Sequence, residues 1–164
     1  MSLKKPALDP ASLTPRTGSG YPEPYRSRVL PREKRALGDA LGLKTIGINQ
    51  TVLPAGKESS MRHWHTREEE FIYVLDGEVV LRTDAGEQVL TAGMCAGFPA
   101  SVDGKSGDGH HLINRGTRPA VYLEISNRDP ADGAFYPDVD LRYHGAAAAV
   151  RFTRKDGSPF KDEP

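Results

Sequence analysis

The chain has 164 residues, with Lys plus Arg and Asp plus Glu equal at 22 each, so its formal net charge is zero. That length suits one domain with a real core, and the charge balance argues against nucleic acid or an anionic membrane surface as a partner. The single cysteine, Cys95, excludes an internal disulfide framework and a multi-cysteine zinc site; beside Met94 and Ala96 it is expected as a small buried side chain.

Residues 1–35 read as an arm and 36–164 as one domain. Met1 to Pro10 carries two lysines with no apolar stretch behind them, which is not the form of a signal peptide. No run of about eighteen apolar residues predicts a membrane-spanning helix. A soluble protein of a reducing, cytoplasmic compartment is the expectation. Six prolines fall within the first thirty-one residues, each fixing φ and removing a donor, so this stretch is predicted to hold no regular helix or inner strand. An extended arm over the domain or onto a neighbouring subunit is expected, with a loose tail as the alternative. It is no helix-turn-helix.

Arg32 to Leu41 then predicts a short helix with Gly42 placed to end it. From Thr45 the character changes to strands. Segments 45–53, 59–65, 70–75, 78–83, 87–91, 110–114 and 120–126 are short and bounded by turn formers, the pattern of an antiparallel sandwich or barrel. Asp76-Gly77 predicts a two-residue hairpin. Residues 129–138 read as a surface loop and 146–153 as an edge strand.

Chemistry concentrates in Met61-Arg62-His63-Trp64-His65-Thr66-Arg67-Glu68-Glu69-Glu70. Alternate residues of a strand share a face, so His63 and His65 point the same way and can reach one ion. A turn over 66–69 brings Glu70 back toward it, leaving Glu68 and Glu69 as solvated turn residues. Four of the five histidines fall in two short segments, the second being Gly109-His110-His111-Leu112-Ile113-Asn114. Only one of the adjacent pair can face a given site, and His110 is chosen over His111.

With these residues in place the chain resembles the cupin superfamily. The family's first motif has the form G-(x)5-H-x-H-(x)3,4-E-(x)6-G, met by Gly56, His63, His65, Glu70 and Gly77 with one extra residue before His63. Its second, G-(x)5-P-x-G-(x)2-H-(x)3-N, is met by Gly93, Pro99, His110 and Asn114. Ser101 replaces the middle glycine, and residues 102–109 read as a loop insertion. The resemblance covers roughly residues 45–126. It implies an all-β cupin jelly-roll, a double-stranded β-barrel, carrying the proline-rich arm and short helix. It also implies one divalent metal ion (Fe, Mn, Ni or Zn) on His63, His65, Glu70 and His110, with two positions open in an octahedron.

Strand parity maps an expected pocket. Pairing Leu75 with Glu78 would put Glu70, Ile72, Val74, Val79, Leu81 and Thr83 on the inner face, joined by Met61, Leu112 and Gln50. This wall suits a small organic ligand. Holding no Arg or Lys, it counts against a phosphosugar isomerase or epimerase; Lys105 in the insertion is the only cation expected nearby. Phe71, Tyr73 and Leu75 occupy the opposite face, which predicts an outer cover and a homodimer. Asn114 is expected to pin a loop, and Trp64 to pack outward.

Two activities remain open from sequence. One is a metal-dependent enzyme of dioxygenase, isomerase or lyase type on a small oxygenated organic substrate. The other is a non-catalytic, metal-supported protein that binds or senses a sugar or organic acid. No residue besides the ligands stands out as general acid or base, so catalytic residues stay unassigned.

Overall fold

The computed structural model describes residues 3–101, 103 and 107–160. Lys105 and half of the 102–109 insertion lie outside the described residues.

The arm is ordered against the domain. After a single 3-10 turn at Pro10–Ser12, Arg16 forms an isolated bridge with Lys34, and a short helix α1 (Tyr25–Val29) follows Pro24. Six prolines in the first thirty-one residues predict no regular helix here. The prolines permit one because residues 25–30 contain none, and proline is tolerated just ahead of a first turn. Val29 is fully buried, which contributes on the order of 1.5–3 kcal/mol toward holding the arm down.

The expected helix over 32–41 divides in two. Glu33–Ala36 forms strand β1 and only Leu37–Leu41 forms helix α2, closed by Gly42 in the left-handed conformation at φ 83°. Strand β2 (Ile46–Leu53) offers β1 a free edge in the register Glu33↔Val52 to Ala36↔Asn49. That pairing overrides the helix propensity of the segment.

The remaining strands follow in order. They are β3 (Trp64–His65), β4 (Glu70–Asp76), β5 (Glu78–Thr83), β6 (Gly86–Thr91), β7 (Cys95–Phe98), β8 (His111–Ile113) and β9 (Ala120–Asn127). Short strands β10 (Ala134–Phe135), β11 (Arg142–Tyr143) and β12 (Phe152–Thr153) complete the chain. The five-stranded sheet runs β1-β2-β9-β4-β7; a three-stranded sheet runs β6-β5-β8 and a four-stranded one β12-β11-β10-β3. The bridge His63↔His110 links the residues leading into β3 and β8, and Glu58↔Ile113 adds a second contact along β8. Of the segment 146–153, only Phe152–Thr153 is strand.

Asp76-Gly77 is not a hairpin. β4 pairs with β7 and β9, whereas β5 pairs with β6 and β8, so the dipeptide is a corner where the chain changes sheets. Gly77 takes φ 75° there, and the ladder shifts register between Val74 and Asp76. The actual hairpin is β5–β6, turning through Asp84-Ala85 between the paired Thr83 and Gly86.

The corner carries the apolar faces of both sheets into one core. Leu53, Ile72 and Val74 meet Val79, Leu81, Leu90 and Leu112 there. A second cluster, Tyr21, Val29, Met61, Ala134, Tyr136 and Leu141, ties the arm to the C-terminal strands. Cys95 is exposed: β7 turns Ala96 and Phe98 toward the core and Cys95 away from it.

Ladder registers define transverse rows on the inner face of the large sheet. Lys34, Thr51, Tyr122 and Val74 form one row; Asn49, Glu124, Ile72 and Ala96 the next; Gly47, Ser126, Glu70 and Phe98 the third. Polar side chains therefore gather at the end of this face nearest Glu70.

Candidate metal centre

His63 and His110 are brought together by backbone. Each donates its N–H to the other's carbonyl, at 3.1 and 2.8 Å, which places two side chains abreast across neighbouring strands. His65 lies two residues along on the same face. Glu70 opens β4 and meets all three: its Oε2 is 2.8 Å from His110 Nε2, 3.4 Å from His65 Nε2 and 3.7 Å from His63 Nε2. His63 Nε2 and His65 Nε2 are 3.0 Å apart. The Phe98 ring lies flat on His110 at 3.6 Å between centroids, fixing that imidazole.

Donors at about 2.0–2.1 Å from one ion stand about 2.9 Å apart in an octahedron and about 3.4 Å apart in a tetrahedron. The separations given above run from 2.8 to 3.7 Å, and His63, Glu70 and His110 offer donor atoms that all lie within 4.8 Å of one another, with His65 joining them through His63 and Glu70. Tautomers agree as well. His63 Nδ1 lies 2.9 Å from the Met61 carbonyl, an acceptor, so Nδ1 carries the hydrogen and Nε2 keeps its lone pair. His65 Nδ1 donates to Asp132 Oδ2 at 2.6 Å, with the same result. Two lone pairs 3.0 Å apart beside a carboxylate repel unless a cation stands among them. The residues fit a divalent metal ion.

With a proton as the only cation, burial and the neighbouring His65 charge push His63 down to about 3. Burial also opposes charge on His65, but hydrogen bonds to Asp132 and Glu70 outweigh it and raise His65 to about 10. Glu70 is half-buried and desolvation opposes its charge, yet His110 and His65 hold its carboxyl well below the usual range.

Asp132 is a supporting residue that sequence analysis missed. Its Oδ1 accepts the backbone N–H of Arg67 at 2.8 Å and of Glu68 at 3.1 Å, so one carboxylate orients His65 and shapes the turn between β3 and β4. It lies 67 residues away in a segment read as surface loop, and no spacing rule marks it.

A cavity of about 380 Å³ opens over the cluster. Besides His63, His65, Glu70 and His110 it is lined by Arg32 and Lys34 from the β1 segment, Tyr122 and Glu124 from β9, and Arg151 ahead of β12. Arg32 donates to the Ser59 carbonyl, while its buried Nε has no hydrogen-bond partner among the described residues. Glu124 accepts from Lys34 Nζ on Oε1 at 2.9 Å and from Thr51 Oγ1 on Oε2 at 3.0 Å.

A cupin-domain family model matches residues 49–126. A sugar phosphate isomerase of the cupin superfamily from Silicibacter pomeroyi is 40% identical, covering 95% of this chain and 97% of that one with a TM-score of 0.88. The chain belongs to the cupin superfamily. A protein assigned as a sugar phosphate isomerase from Acidithiobacillus ferrooxidans is 30% identical over 80% of this chain and 81% of its own, TM-score 0.69. The polyketide cyclase RemF from Streptomyces resistomycificus shares the fold at 16% identity, covering 78% and 81% with a TM-score of 0.59. A search of the curated proteins finds no match.

The all-β cupin fold expected from the motifs is therefore present. Of the pocket residues named from parity, Ile72 and Leu112 line this cupin's cavity, and Gln50, Met61, Leu81 and Thr83 do not. On β2 the inward residues are Gly47, Asn49, Thr51 and Leu53, which turns Gln50 outward. Met61 packs in the cluster under the arm, Leu81 sits within the apolar core, and Thr83 ends β5 at the hairpin. His111 is buried with Nδ1 3.0 Å from the Ser60 carbonyl, turned to a different partner from His110. Asn114 pins a loop, donating to the Leu53 and Arg118 carbonyls at 2.8 Å each. Trp64 stacks on Phe135 at 4.3 Å between centroids. Among the described residues no helix is long and apolar enough to cross a membrane.

Proposed function

We propose that this cupin is a metal-dependent isomerase that interconverts the aldose and ketose forms of a small phosphorylated sugar, with His63, His65, Glu70 and His110 as ligands of one divalent ion. The observation that carries the reading is the set of cations in the metal cavity. Arg32, Lys34 and Arg151 line the same space as the donor cluster. Lys34 is paired with Glu124, which leaves Arg32 and Arg151 as charges for a dianionic group. A buried donor without a partner costs roughly 1–3 kcal/mol, a cost removed when a phosphate oxygen accepts from Arg32 Nε. The name borne by the 40% identical relative supports the same substrate class.

This weighing reverses the one made from sequence. From sequence the expected inner wall held no Arg or Lys, and residues 32–41 were expected as a short helix. With Glu33–Ala36 a strand, Lys34 shares the inner face with Thr51.

His63, His65, Glu70 and His110 would hold a divalent ion, which when bound would supply Lewis acidity toward a substrate carbonyl. The chain's own groups do the rest: Arg32 and Arg151 hold the phosphate, and the buried tyrosines shield the reacting carbons from water. A second copy covering Phe71, Tyr73 and Leu75 would complete a homodimer.

The test is a panel of pentose, hexose and heptose phosphates with protein loaded separately with Fe(II), Mn(II), Ni(II) and Zn(II), followed by proton NMR in deuterated water. Interconversion of an aldose and a ketose phosphate, with the unphosphorylated sugar at least ~100-fold poorer in kcat/KM, is the expected result. Oxygen consumption on diketones or catechols would replace the reading with a dioxygenase. Thermal stabilisation by a sugar or organic acid without conversion would replace it with a binding protein.

A further inference from the structure

We propose that Glu124 is the catalytic base of this cupin, the group that carries the proton between the two carbons of the substrate; the assignment rests on the isomerase reading above. Four observations converge on it. Among the described lining residues Glu124 and Glu70 are the only carboxylates, and Glu70 is engaged by the three histidines. Glu124 pairs with Ile72 across β9 and β4, one row from Glu70, so the two residues are diagonal neighbours about 7–8 Å apart at the backbone. That spacing places a second carboxylate beside the metal ligands with room for a carbon chain between.

Glu124 is also held. Lys34 Nζ donates to its Oε1 at 2.9 Å and approaches Oε2 at 2.7 Å, while Thr51 donates to Oε2. A carboxylate offers about four acceptor sites, so these contacts fix its plane and leave capacity for a substrate proton. Finally, the competing groups are poor. Tyr21 and Tyr136 are buried and hydrogen-bonded to each other at 3.3 Å. Burial pushes both phenols upward, which suits donors and not bases.

The step balances within the substrate. Glu124 takes the proton from the carbon next to the carbonyl; that C–H bond breaks, and its electron pair becomes the double bond of an enediolate. Returning the proton to the former carbonyl carbon regenerates the carboxylate, while a hydroxyl proton crosses between the two oxygens. No oxidant or reductant is required. Lys34 and Thr51 act as positioning residues through Glu124.

Glu124→Gln keeps the shape and the contact with Thr51 but cannot take a proton. In the metal-loaded full chain we expect kcat to fall about 10³-fold, with KM within about threefold of wild type. Metal content and the affinity for a polyol phosphate, read by calorimetry, should be unchanged, and solvent deuterium should no longer enter the substrate carbon. A Glu124→Gln protein with a tenth or more of wild-type kcat overturns the role. If that variant does not fold, Glu124→Asp decides instead, because it retains the charge but withdraws the carboxylate by one methylene. A tenfold or larger loss of kcat at constant KM supports the base, and unchanged kcat overturns it. A wild-type protein that converts no sugar phosphate removes the isomerase reading and this role with it, whereas active wild type beside active Glu124→Gln removes the role alone.

Discussion

At the scale of single residues, the donor cluster depends on atoms that are not themselves donors. Asp132 accepts from His65 Nδ1 and so keeps the lone pair on Nε2. Outer partners of this kind are commonly worth 10–100-fold in metal affinity. Asp132→Asn should therefore bind the ion about 10–100-fold more weakly while retaining a folded barrel, measured by competition with a chelator; unchanged affinity would show that His65 is oriented without it. Replacing His63 or His65 with Ala should remove most of the bound metal and lower thermal stability, as elemental analysis and a melting curve would show. His111→Ala should leave metal content nearly intact, since His111 is directed at Ser60. Arg32→Met should raise KM for a sugar phosphate about 10–100-fold, the loss of one charge-assisted hydrogen bond of about 1.5–3 kcal/mol, and leave the metal in place. The residues of the cluster were legible in the sequence because a strand's period of two and a short turn put His63, His65 and Glu70 within reach of each other. Asp132, Arg32 and Glu124 were not, because each arrives from a distant segment whose local pattern says nothing of where it ends.

At the scale of elements, the errors of sequence reading share one cause. Local preference placed a helix over 32–41 and a hairpin at 76–77, and tertiary pairing decided both otherwise. An open edge on β2 drew Glu33–Ala36 into the sheet, and that one change of element carried Lys34 into the cavity. The corner at Gly77 matters in the same way, since it sends the chain from the sheet of Glu70 to the sheet of Leu81. Its φ is 75°, and a Cβ built there would stand 3.1 Å from both the Ala120 Cα and the Pro119 carbonyl oxygen. Those are backbone atoms with little freedom to move. Gly77→Ala should cost about 1–3 kcal/mol in urea denaturation from the unfavoured backbone alone, with the contact adding to it. A variant as stable as wild type would show that the corner can relax. Strand existence was read well over β2, β4, β5, β6 and β9, where alternation is long. It failed for β1, β7, β10 and β11, which are too short or too polar for a period to register.

At the scale of the whole molecule, the two faces of the large sheet are treated differently. The inner face is closed by the arm and the C-terminal strands, with Tyr21, Val29 and Met61 buried among Tyr136 and Leu141. The outer face of β4 keeps Phe71, Tyr73 and Leu75 at 39%, 38% and 41% exposure, with Ile46 at 44% beyond them. Contiguous apolar surface on a sheet is a common mark of an association site. The described arm packs with Met61, Tyr136 and Leu141 on the other side, and we propose a second copy of the chain as the cover that the alternating sequence called for. Sedimentation of the purified protein should accordingly give a dimer at micromolar concentration. The double variant Phe71→Glu, Tyr73→Glu should sediment as a monomer with its metal content retained, because both side chains point away from Glu70 and Ile72. A monomeric wild type, or a double variant that stays dimeric, would place the cover elsewhere. Since β4 carries Glu70 on one face and this apolar row on the other, the same measurement tests whether pairing steadies the metal site: kcat or metal affinity falling in the monomer would show that it does.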